Sequence, residues 1–392
     1  MRQVKRSLGF IYDTAITYPA PATLNYNYNF GIYALVVLAL QIITGIFLVM
    51  FYCSNASLAF LSVEHLMRDV PYGWFIRYLH ANGASFFFIV VYAHLFRGLY
   101  YGSYFFPRRL LWCSGVIILL LMIITSFLGY VLPWGQMSYW AATVITNLAS
   151  TVPFFGQKIV NWLWSGFSVD NPTLSKFFSL HYILPFVILA FVLLHLALLH
   201  QSGSGTSSGW GRSIDEIPFH PYYTIKDFFS VILFIAIIIF FVSFIPNSLG
   251  HPDNYIPANP DQTPEHIVPE WYFLPFYAIL RSIPNKLLGV IALVASIIFL
   301  LILPFIDRPL TRSSVYKPFI AKLNILFIAD CFVLGYIGQS PLEEPFLFLG
   351  RLTTLIYFAY FFVFIIVSQI DRYFLKAVQK LPDNIVYNSL SK

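Results

Sequence analysis

Charged residues are scarce in this chain. Only 10% of its 392 residues are Asp, Glu, Lys or Arg, whereas soluble domains carry about 25%. Hydrophobic residues make up 58%, and the mean hydropathy is +0.73. This balance excludes an ordinary soluble domain. The net charge of +6 does not indicate nucleic-acid binding, because the basic residues lie in short stretches between apolar runs.

Cysteine is also rare, and the start of the chain lacks the features of a signal peptide. Cys53, Cys113 and Cys331 form neither a CxxC motif nor a disulfide framework. Residues 1–29 are polar and aromatic, without a short apolar core and a small-residue cleavage site. We therefore expect the first membrane segment to act as the insertion signal.

Long apolar runs dominate the rest of the sequence. A hydrocarbon layer about 30 Å thick requires about 20 apolar residues in a helix. Eight segments meet this requirement: 30–52, 75–100, 111–132, 175–200, 227–246, 288–307, 319–340 and 346–370. The sequence thus predicts an all-α integral membrane protein with eight transmembrane helices. Segment 134–165 is amphipathic and interrupted, so it is not expected to span.

The charges between the spans predict the orientation, since Lys and Arg concentrate on the inner side. With the amino terminus inside, the inner segments hold Arg2, Lys5, Arg6, Arg108, Arg109, Arg212, Lys226, Arg308, Arg312, Lys317, Lys322, Arg372, Lys376 and Lys380. The outer segments hold Glu64, Asp69, Asp170, Asp253, Asp261, Glu265, Glu270, Glu343 and Glu344, with the basic residues Lys158, Arg281 and Lys286. Both termini are predicted to lie inside.

Two spans carry histidines at the same interval. His80 and His94 lie in the second span, and His181 and His195 lie in the fourth. Fourteen helical steps return to within about 40° of the same face and rise about 21 Å. Because the two spans run in the same direction, His80 and His181 are predicted to share an outer depth, and His94 and His195 an inner depth.

Two stacked histidine pairs suit bis-imidazole ligation of two b-type haems. Ionisable groups at membrane depth are costly and usually functional. Zinc is disfavoured, because neither pair has a third ligand such as Cys or a carboxylate. Membrane desaturases cluster their histidines much more closely. A core histidine bonded to a neighbour, or a transporter pathway, explains one such residue but not two equal intervals.

Glycines and arginines around the histidines agree with haem. Four glycines recur at the same interval, Gly31 and Gly45 in the first span and Gly115 and Gly129 in the third. They leave room for a planar group, although small residues also serve ordinary helix packing. Arg77 and Arg97 each lie three residues from a histidine and could pair with haem propionates. Interfacial snorkelling is the alternative for both arginines.

Three longer motifs, together with the paired histidines, resemble one family. They read "GYVLPWGQMSYWAATVITNL", "GFSVDNPTLSKFFSLHYILPF" and "PEWYFLPFYAILRSIPNK". They resemble the cytochrome b of ubiquinol–cytochrome c oxidoreductase, respiratory complex III, and the resemblance runs from about Asn25 to Arg372. Photosynthetic relatives have a longer second histidine interval and are split into two chains. The chain is therefore similar to the respiratory type.

The resemblance implies a fold and a reaction. Residues 1–210 would form a four-helix bundle around two haems, and 211–392 a four-helix part carrying the PEWY loop. Quinol would be oxidised at an outer pocket, with one electron going to an iron–sulfur protein. The other would cross from an outer low-potential haem held by His80 and His181 to an inner high-potential haem held by His94 and His195. It would then reduce quinone at an inner pocket, with protons released outside and taken up inside.

The resemblance also implies partners and a location. A homodimeric complex III would supply the iron–sulfur protein, a c-type cytochrome and further subunits. The mitochondrial inner membrane is the expected location, with a bacterial plasma membrane as the alternative. A haem-binding subunit without quinone contact is a second alternative for the function.

The motifs carry over residues of both pockets. In the outer pocket, Glu270 would accept a quinol hydrogen bond and a proton, with its pKa raised by desolvation, rather than merely cap a helix. The other outer residues are Tyr272, Tyr277, Phe127, Tyr130, Met137, Ala141, Ile145 and Phe273. In the inner pocket, His200 and Asp227 would donate protons, although His200 could simply be interfacial. The supporting inner residues are Ser204, Lys226, Phe219 and Asn29.

The chain departs from the family pattern at four positions. Ala141 replaces a common glycine after the tryptophan of segment 134–150, the predicted surface helix over the outer haem. Gln201 and Gly205 stand where other members commonly have an acid and a polar amide. Tyr28 replaces a tryptophan. The details of quinone binding at the inner pocket are therefore not fixed by the motifs.

The methyl group of Ala141 predicts altered inhibitor sensitivity. An extra methyl in a tight pocket is tolerated by a flexible quinone but clashes with a rigid ligand. We expect strobilurin-type compounds to inhibit the assembled enzyme weakly, as measured by titration of quinol–cytochrome c reductase activity. Inhibition at ordinary nanomolar concentrations would contradict this expectation.

Overall fold

The computed structural model describes residues 16–205, 215–306, 311 and 313–379, and this part of the chain is almost entirely helical. Its α-helices are α1 Phe30–Val49, α2 Ala59–Arg68, α3 Gly73–Tyr100, α4 Arg109–Val131, α5 Gln136–Asn147, α6 Gly156–Trp164, α7 Asn171–Ser202, α8 Tyr222–Phe244, α9 Leu274–Ser282, α10 Lys286–Ile306, α11 Pro318–Gln339 and α12 Phe346–Gln379. A short 3-10 segment, Trp271–Phe273, leads into α9.

Eight helices of the described part are long and apolar enough to cross a membrane. They are α1 with the turn before it, α3, α4, α7, α8, α10, α11 and α12. The prediction of an all-α protein with eight spans is confirmed. Segment 134–165 forms α5 and α6, which have 12 and 9 residues and are too short to span.

Some sequence predictions fall outside the described residues. These are the orientation residues Arg2, Lys5, Arg6, Arg212, Arg308, Arg312 and Lys380, the end of the sixth predicted span at 307, and the boundary at 210/211.

The first four spans form two tightly packed helix pairs. Helix α1 packs against α3, and α4 packs against α7. Gly83 brings the first pair together, because a Cβ at this position would lie 3.2 Å from Leu40 Cδ2 and would overlap the amide of Gln41. The four histidines of α3 and α7 lie between the two helix pairs.

The remaining helices pack against these pairs and against one another. Helices α9, α10, α11 and α12 pack together, and α8 packs against α1 and α3. The indole Nε1–H of Trp112 in α4 donates to the carbonyl of Leu300 in α10, at 2.7 Å. One hydrophobic core cluster includes Phe88 of α3, Leu300 of α10 and Tyr357 of α12. The two halves of the chain therefore share a core.

A local sequence signal fixes the start of α7. The helix begins with a reciprocal capping box between Asp170 and Thr173, and Pro172 lies in its first turn.

A short strand pairing joins two distant segments. Strands β1 (Pro19–Pro21) and β2 (Glu216–Pro218) pair antiparallel with Ala20 opposite Ile217. This pairing ties the segment before α1 to the start of α8.

Asp371 of α12 caps a different helix, and this contact predicts a stability effect. Its carboxylate is 1% exposed and accepts the N–H of Ile320 at 2.9 Å, in the first turn of α11. A carboxylate stabilises a helix amino terminus by satisfying free N–H groups and by its charge. We expect Asp371→Ala to destabilise the protein by about 1–2 kcal/mol, measured as a lower midpoint of thermal inactivation in detergent.

Glu344 offers a matched control for this substitution. Its exposed carboxylate accepts the N–H of Phe348 at 3.1 Å. Glu344→Ala should cost less, because solvent can replace an exposed acceptor. Equal midpoints for the two variants would contradict the assigned role of Asp371.

Candidate functional site

The histidines of α3 and α7 face each other in two pairs. The ring centres of His80 and His181 are 6.2 Å apart, and those of His94 and His195 are 6.4 Å apart. A metal ion held between two imidazoles needs two metal–nitrogen bonds of about 2 Å each, plus the distance from nitrogen to ring centre on both sides. Both spacings leave room for one ion between the rings.

Three of the four histidines have their Nδ1 within hydrogen-bond distance of a protein oxygen. The partner atoms are Thr44 Oγ1 at 2.9 Å for His80, the Thr125 carbonyl at 2.8 Å for His181 and Ser114 Oγ at 2.8 Å for His195. A histidine ligand typically donates its second N–H to such an oxygen, which fixes the ring, so these three contacts fit ligation through Nε2. The Nδ1 of His94 instead lies 3.0 Å from Nη2 of Arg97, which can only donate.

The four equally spaced glycines lie directly against the histidine rings. A Cβ at Gly31, Gly45 or Gly115 would lie 3.2–3.5 Å from the ring of His94, His80 or His195, respectively. A Cβ at Gly129 would overlap the ring of His181. The glycines therefore make room for the histidines, a contact that the sequence did not predict. Their prediction as haem-contacting residues stays a prediction.

The two arginines near the histidines have different surroundings. The guanidinium of Arg97 lies beside His94 and 4.9 Å from the ring centre of Tyr28, one of the positions that departs from the family pattern. Its Nε is buried without a hydrogen-bond partner among the residues described, so it remains available to an anionic group. Arg77 lines a cavity that also contains Glu270 and the outer histidine pair.

The described residues contain no cluster of three or more His, Cys, Asp or Glu side chains placed to hold a metal ion. A bare ion would therefore find only two side-chain ligands at each pair. A haem supplies four further nitrogen ligands itself and needs only two axial ones. The donor set of each pair fits haem better than zinc.

A cavity of about 300 Å³ extends from the outer histidine pair to Glu270. Its lining includes His80, His181, Tyr130 and Tyr272. The phenolic hydroxyl of Tyr130 is buried beside the Glu270 carboxyl. The predicted proton acceptor and the outer histidine pair thus border one space.

Burial changes the acidity of Glu270. Removal from water raises the pKa of its carboxyl to about 7, and the neighbouring Tyr130 hydroxyl and Arg77 guanidinium act in the opposite direction. Burial also raises the pKa of the Tyr272 hydroxyl, and the nearby Glu270 carboxylate raises it further. At neutral pH, Glu270 is therefore divided between its ionised and protonated forms, whereas Tyr272 remains protonated.

Several other residues predicted for the outer pocket lie outside the lining of this cavity. They are Phe127, Met137, Ala141, Ile145, Phe273 and Tyr277. Met137 and Ala141 are buried in α5, whereas Ile145 is 36% exposed. Phe127 packs edge-on against Phe177.

Two of these residues lie close to the Glu270 segment. Phe273 contacts Tyr272, with ring centres 4.6 Å apart. Tyr277 donates a long hydrogen bond of 3.4 Å to the Ile267 carbonyl. The guanidinium of Arg281 lies over the Tyr277 ring, 5.4 Å from its centre. A role of these side chains in quinone contact stays a prediction.

At the inner end of the bundle, His200 and Ser204 meet the segment before α1. The ring of Tyr18 stacks on His200 with centres 4.9 Å apart, and its hydroxyl accepts the N–H of Ser204 at 3.0 Å. The backbone N–H of Phe219 donates to the Tyr18 carbonyl at 2.9 Å. Residues from three distant segments are therefore assembled around Tyr18.

Asp227 lies in the first turns of α8, next to the side chains of Asn29 and Lys226. The amide of Asn29 donates to Ser230 Oγ at 2.6 Å. The ammonium of Lys226 donates to the carbonyls of Leu24 and Asn25, at 3.1 and 3.0 Å. Lys226 is thus engaged in holding the segment before α1, and its predicted role in quinone binding stays a prediction.

Gly205 lies against the side chain of Arg108. A Cβ at this position would overlap the guanidinium of Arg108, which donates to the carbonyl of Gly203 at 2.7 Å. A side chain at 205 would therefore shift the end of the Arg108 side chain. Gln201 is exposed, and nothing in the structure explains its departure from the family pattern.

Sequence reasoning missed the residues that hold the histidine Nδ1 atoms. Thr44 and Ser114 directly precede the glycines at 45 and 115, so a hydroxyl residue next to each glycine was a readable signal. For His181 the acceptor is the backbone carbonyl of Thr125, which no sequence pattern reveals.

Comparisons with known proteins agree with this geometry. The family model "Cytochrome b/b6/petB" matches residues 15–203, and "Cytochrome b(C-terminal)/b6/petD" matches residues 257–358. The chain is 54% identical over 378 residues to cytochrome b of Chondrus crispus, covering 96% of this chain and 99% of that protein. It is 56% identical over 361 residues to cytochrome b of Marchantia polymorpha, covering 92% and 89%.

A solved structure has the same fold. It is a chain of a "Hyperthermophilic respiratory Complex III", with a TM-score of 0.89, 36% identity, and coverage of 94% of this chain and 98% of that chain. The resemblance predicted from the sequence motifs is confirmed, and the chain belongs to the cytochrome b family.

Proposed function

We propose that this chain is the di-haem cytochrome b subunit of a quinol–cytochrome c oxidoreductase of the complex III type. The observation that carries the proposal is the pair of ring spacings, 6.2 and 6.4 Å, between histidines of α3 and α7. Each spacing accommodates one ion, and the Nδ1 atoms of His80, His181 and His195 face protein oxygens. His80 with His181, and His94 with His195, would be the axial ligands.

When bound, the two haems would supply one-electron carriers at two depths of the membrane. The chain's contribution is to fix the ligand rings and to bury the sites in a low-dielectric layer. Arg77 and Arg97 would pair with propionates, and Gly31, Gly45, Gly115 and Gly129 would leave the space that the ligand rings and the macrocycles need.

At the outer pocket, Glu270 would accept a hydrogen bond and then a proton from quinol. Its raised pKa suits this work, because a base with a pKa near the working pH can both take up and release a proton. Tyr130 would form part of the pocket wall, with its hydroxyl beside Glu270, and Tyr272 and Tyr277 would line the proton route. Protons would leave toward the outer surface.

At the inner pocket, His200 and Asp227 would donate protons to the reduced quinone. The near-neutral reference pKa of histidine suits proton delivery. Ser204, Phe219 and Asn29 would frame the ring, and Lys226 would keep the segment before α1 in place. Tyr18 would hold His200 through the stacking contact described above.

The proposed setting is a dimeric complex with an iron–sulfur protein, a c-type cytochrome and further subunits. The membrane would be the mitochondrial inner membrane, with both termini on the matrix side. The high identity to cytochrome b of Chondrus crispus and Marchantia polymorpha supports the respiratory type. A bacterial plasma membrane remains the alternative.

Loss of a histidine ligand should remove one haem at a time. We expect His181→Ala and His195→Ala each to lose one of two b-type components in the reduced-minus-oxidised spectrum of the assembled complex. His65→Ala is the control, because the exposed ring of His65 bonds to Asp69, the residue just after its own helix. Retention of both components in both ligand variants would refute the assignment.

Removal of the Glu270 carboxylate should change the pH dependence of quinol oxidation. Only the ionised carboxylate can accept a proton, so the wild-type rate should rise as the pH increases through about 7. Glu270→Gln should slow the reaction roughly tenfold or more and abolish this rise, with both haems still bound. The measurement is the steady-state rate of quinol-dependent cytochrome c reduction between acidic and alkaline pH.

Glu265→Gln is the matched control, because Glu265 lies in the same loop and is exposed. It should keep the wild-type rate and pH profile. Haem loss in Glu270→Gln, or a profile equal to that of the wild type, would contradict the role of Glu270.

A further inference from the structure

One stripe of α3 is bonded to the two residues that follow Glu270. The indole Nε1–H of Trp271 donates to Ser85 Oγ at 3.0 Å. The hydroxyl of Tyr92 donates to the backbone carbonyl of Tyr272 at 2.6 Å. The ring of Phe88 lies parallel to the ring of Tyr272, with centres 4.1 Å apart and planes at 3°. We call Ser85, Phe88 and Tyr92 the clamp residues.

The clamp residues form a surface of α3 separate from its histidine surface. Their spacings of three and four residues put them within about 60° of one another around the helix. The histidines of the same helix, His80 and His94, lie on a face about 130° away. Helix α3 therefore contacts the histidine pairs on one side and the segment after Glu270 on the other.

The clamp contacts the two residues after Glu270 at three points. Two contacts are made to the side chains of Trp271 and Tyr272, and the third, from Tyr92, is made to the backbone carbonyl of Tyr272. Ser85 and Tyr272 are 3% and 4% exposed, so each polar contact has one buried partner, and hydrogen bonds are electrostatically stronger in such a setting. Tyr92 lies outside the lining of the cavity that Glu270 borders.

We propose that Tyr92 is a positioning residue for quinol oxidation. Together with Ser85 and Phe88, it fixes Trp271 and Tyr272 relative to the helix that carries two of the histidines, so that proton uptake moves only the side chain of Glu270. The proposal rests on the proposed role of Glu270 as proton acceptor. It adds a requirement on the position of the backbone after Glu270, which Tyr92 meets from outside the cavity lining.

The hydrogen bond of Tyr357 offers a control that distinguishes a positioning role of Tyr92 from a general effect on stability. The hydroxyl of Tyr357 in α12 donates to the carbonyl of Ser296 in α10 at 2.8 Å. Tyr357 is as buried as Tyr272, at 4% exposed. It does not line the cavity that contains Glu270. Tyr357→Phe thus removes the same kind of buried tyrosine-to-carbonyl bond and leaves the three clamp contacts in place.

The test compares Tyr92→Phe with Tyr357→Phe in the assembled complex. For Tyr92→Phe we expect kcat for quinol-dependent cytochrome c reduction to fall roughly fivefold, because misplacement of a catalytic group lowers the rate more than it weakens binding. The pH at half-maximal rate should shift, while KM and the two b-type spectral components stay as in the wild type. Tyr357→Phe should retain the wild-type kcat and pH profile.

Ser85→Ala provides a second variant, because it removes the acceptor of Trp271 from the same segment. It should lower kcat in the same direction, and the double variant Ser85→Ala/Tyr92→Phe should lose less than the product of the two single effects. An unchanged kcat and pH profile in Tyr92→Phe, or an equal loss in Tyr357→Phe, would overturn the proposal.

Glu270→Gln, measured in the same assay, distinguishes a failure of the Tyr92 role from a failure of the Glu270 role. If Glu270→Gln slows quinol oxidation and Tyr92→Phe does not, the clamp is wrong and the proposed function stands. If Glu270→Gln leaves the rate unchanged, the proposed role of Glu270 fails, and the positioning role of Tyr92 fails with it.

Discussion

Four imidazole rings held between two helix pairs are the feature on which the rest of the structure depends. A polar ring at membrane depth is costly unless its nitrogens have partners. Thr44 and Ser114 supply hydroxyl partners, and Thr125 supplies a carbonyl. These contacts come from α1 and α4, so they also fix α1 against α3 and α4 against α7. The same contacts therefore hold the helices together and orient the histidine rings.

Helix α3 links the histidine pairs to the segment that follows Glu270. It carries two of the histidines on one face and contacts Trp271 and Tyr272 through another. Both helix pairs also have a direct connection to the carboxy-terminal half, as in the bond from Trp112 to Leu300. A common core, rather than a flexible junction, sets the distance between the outer histidine pair and Glu270. Desolvation of Glu270, and hence its raised pKa, follows from that core.

The inner end is built differently. Its candidate residues lie on three segments that are far apart in sequence, around Tyr18, around His200 and at the start of α8. Short backbone contacts hold them together, including the pairing of β1 with β2 and the bonds from Lys226 to Leu24 and Asn25. The space beside Gly205 is taken by Arg108.

The sequence by itself determined the helical class, the eight spans and the two histidine pairs. Apolar length and a fourteen-residue interval are local properties, and helix geometry converts them directly into depth and face. It also identified Glu270 as a carboxylate in an apolar setting.

Only the tertiary structure decided which groups hold the histidines, which residues border the outer cavity, and how the segment after Glu270 is fixed. Ser85 and Trp271 are 186 residues apart, and Lys226 and Leu24 are 202 apart. Such contacts depend on how helices pack side by side, and no local period in the sequence encodes the partner. The same reason explains why the glycines contact histidine rings and why Gly205 lies against Arg108.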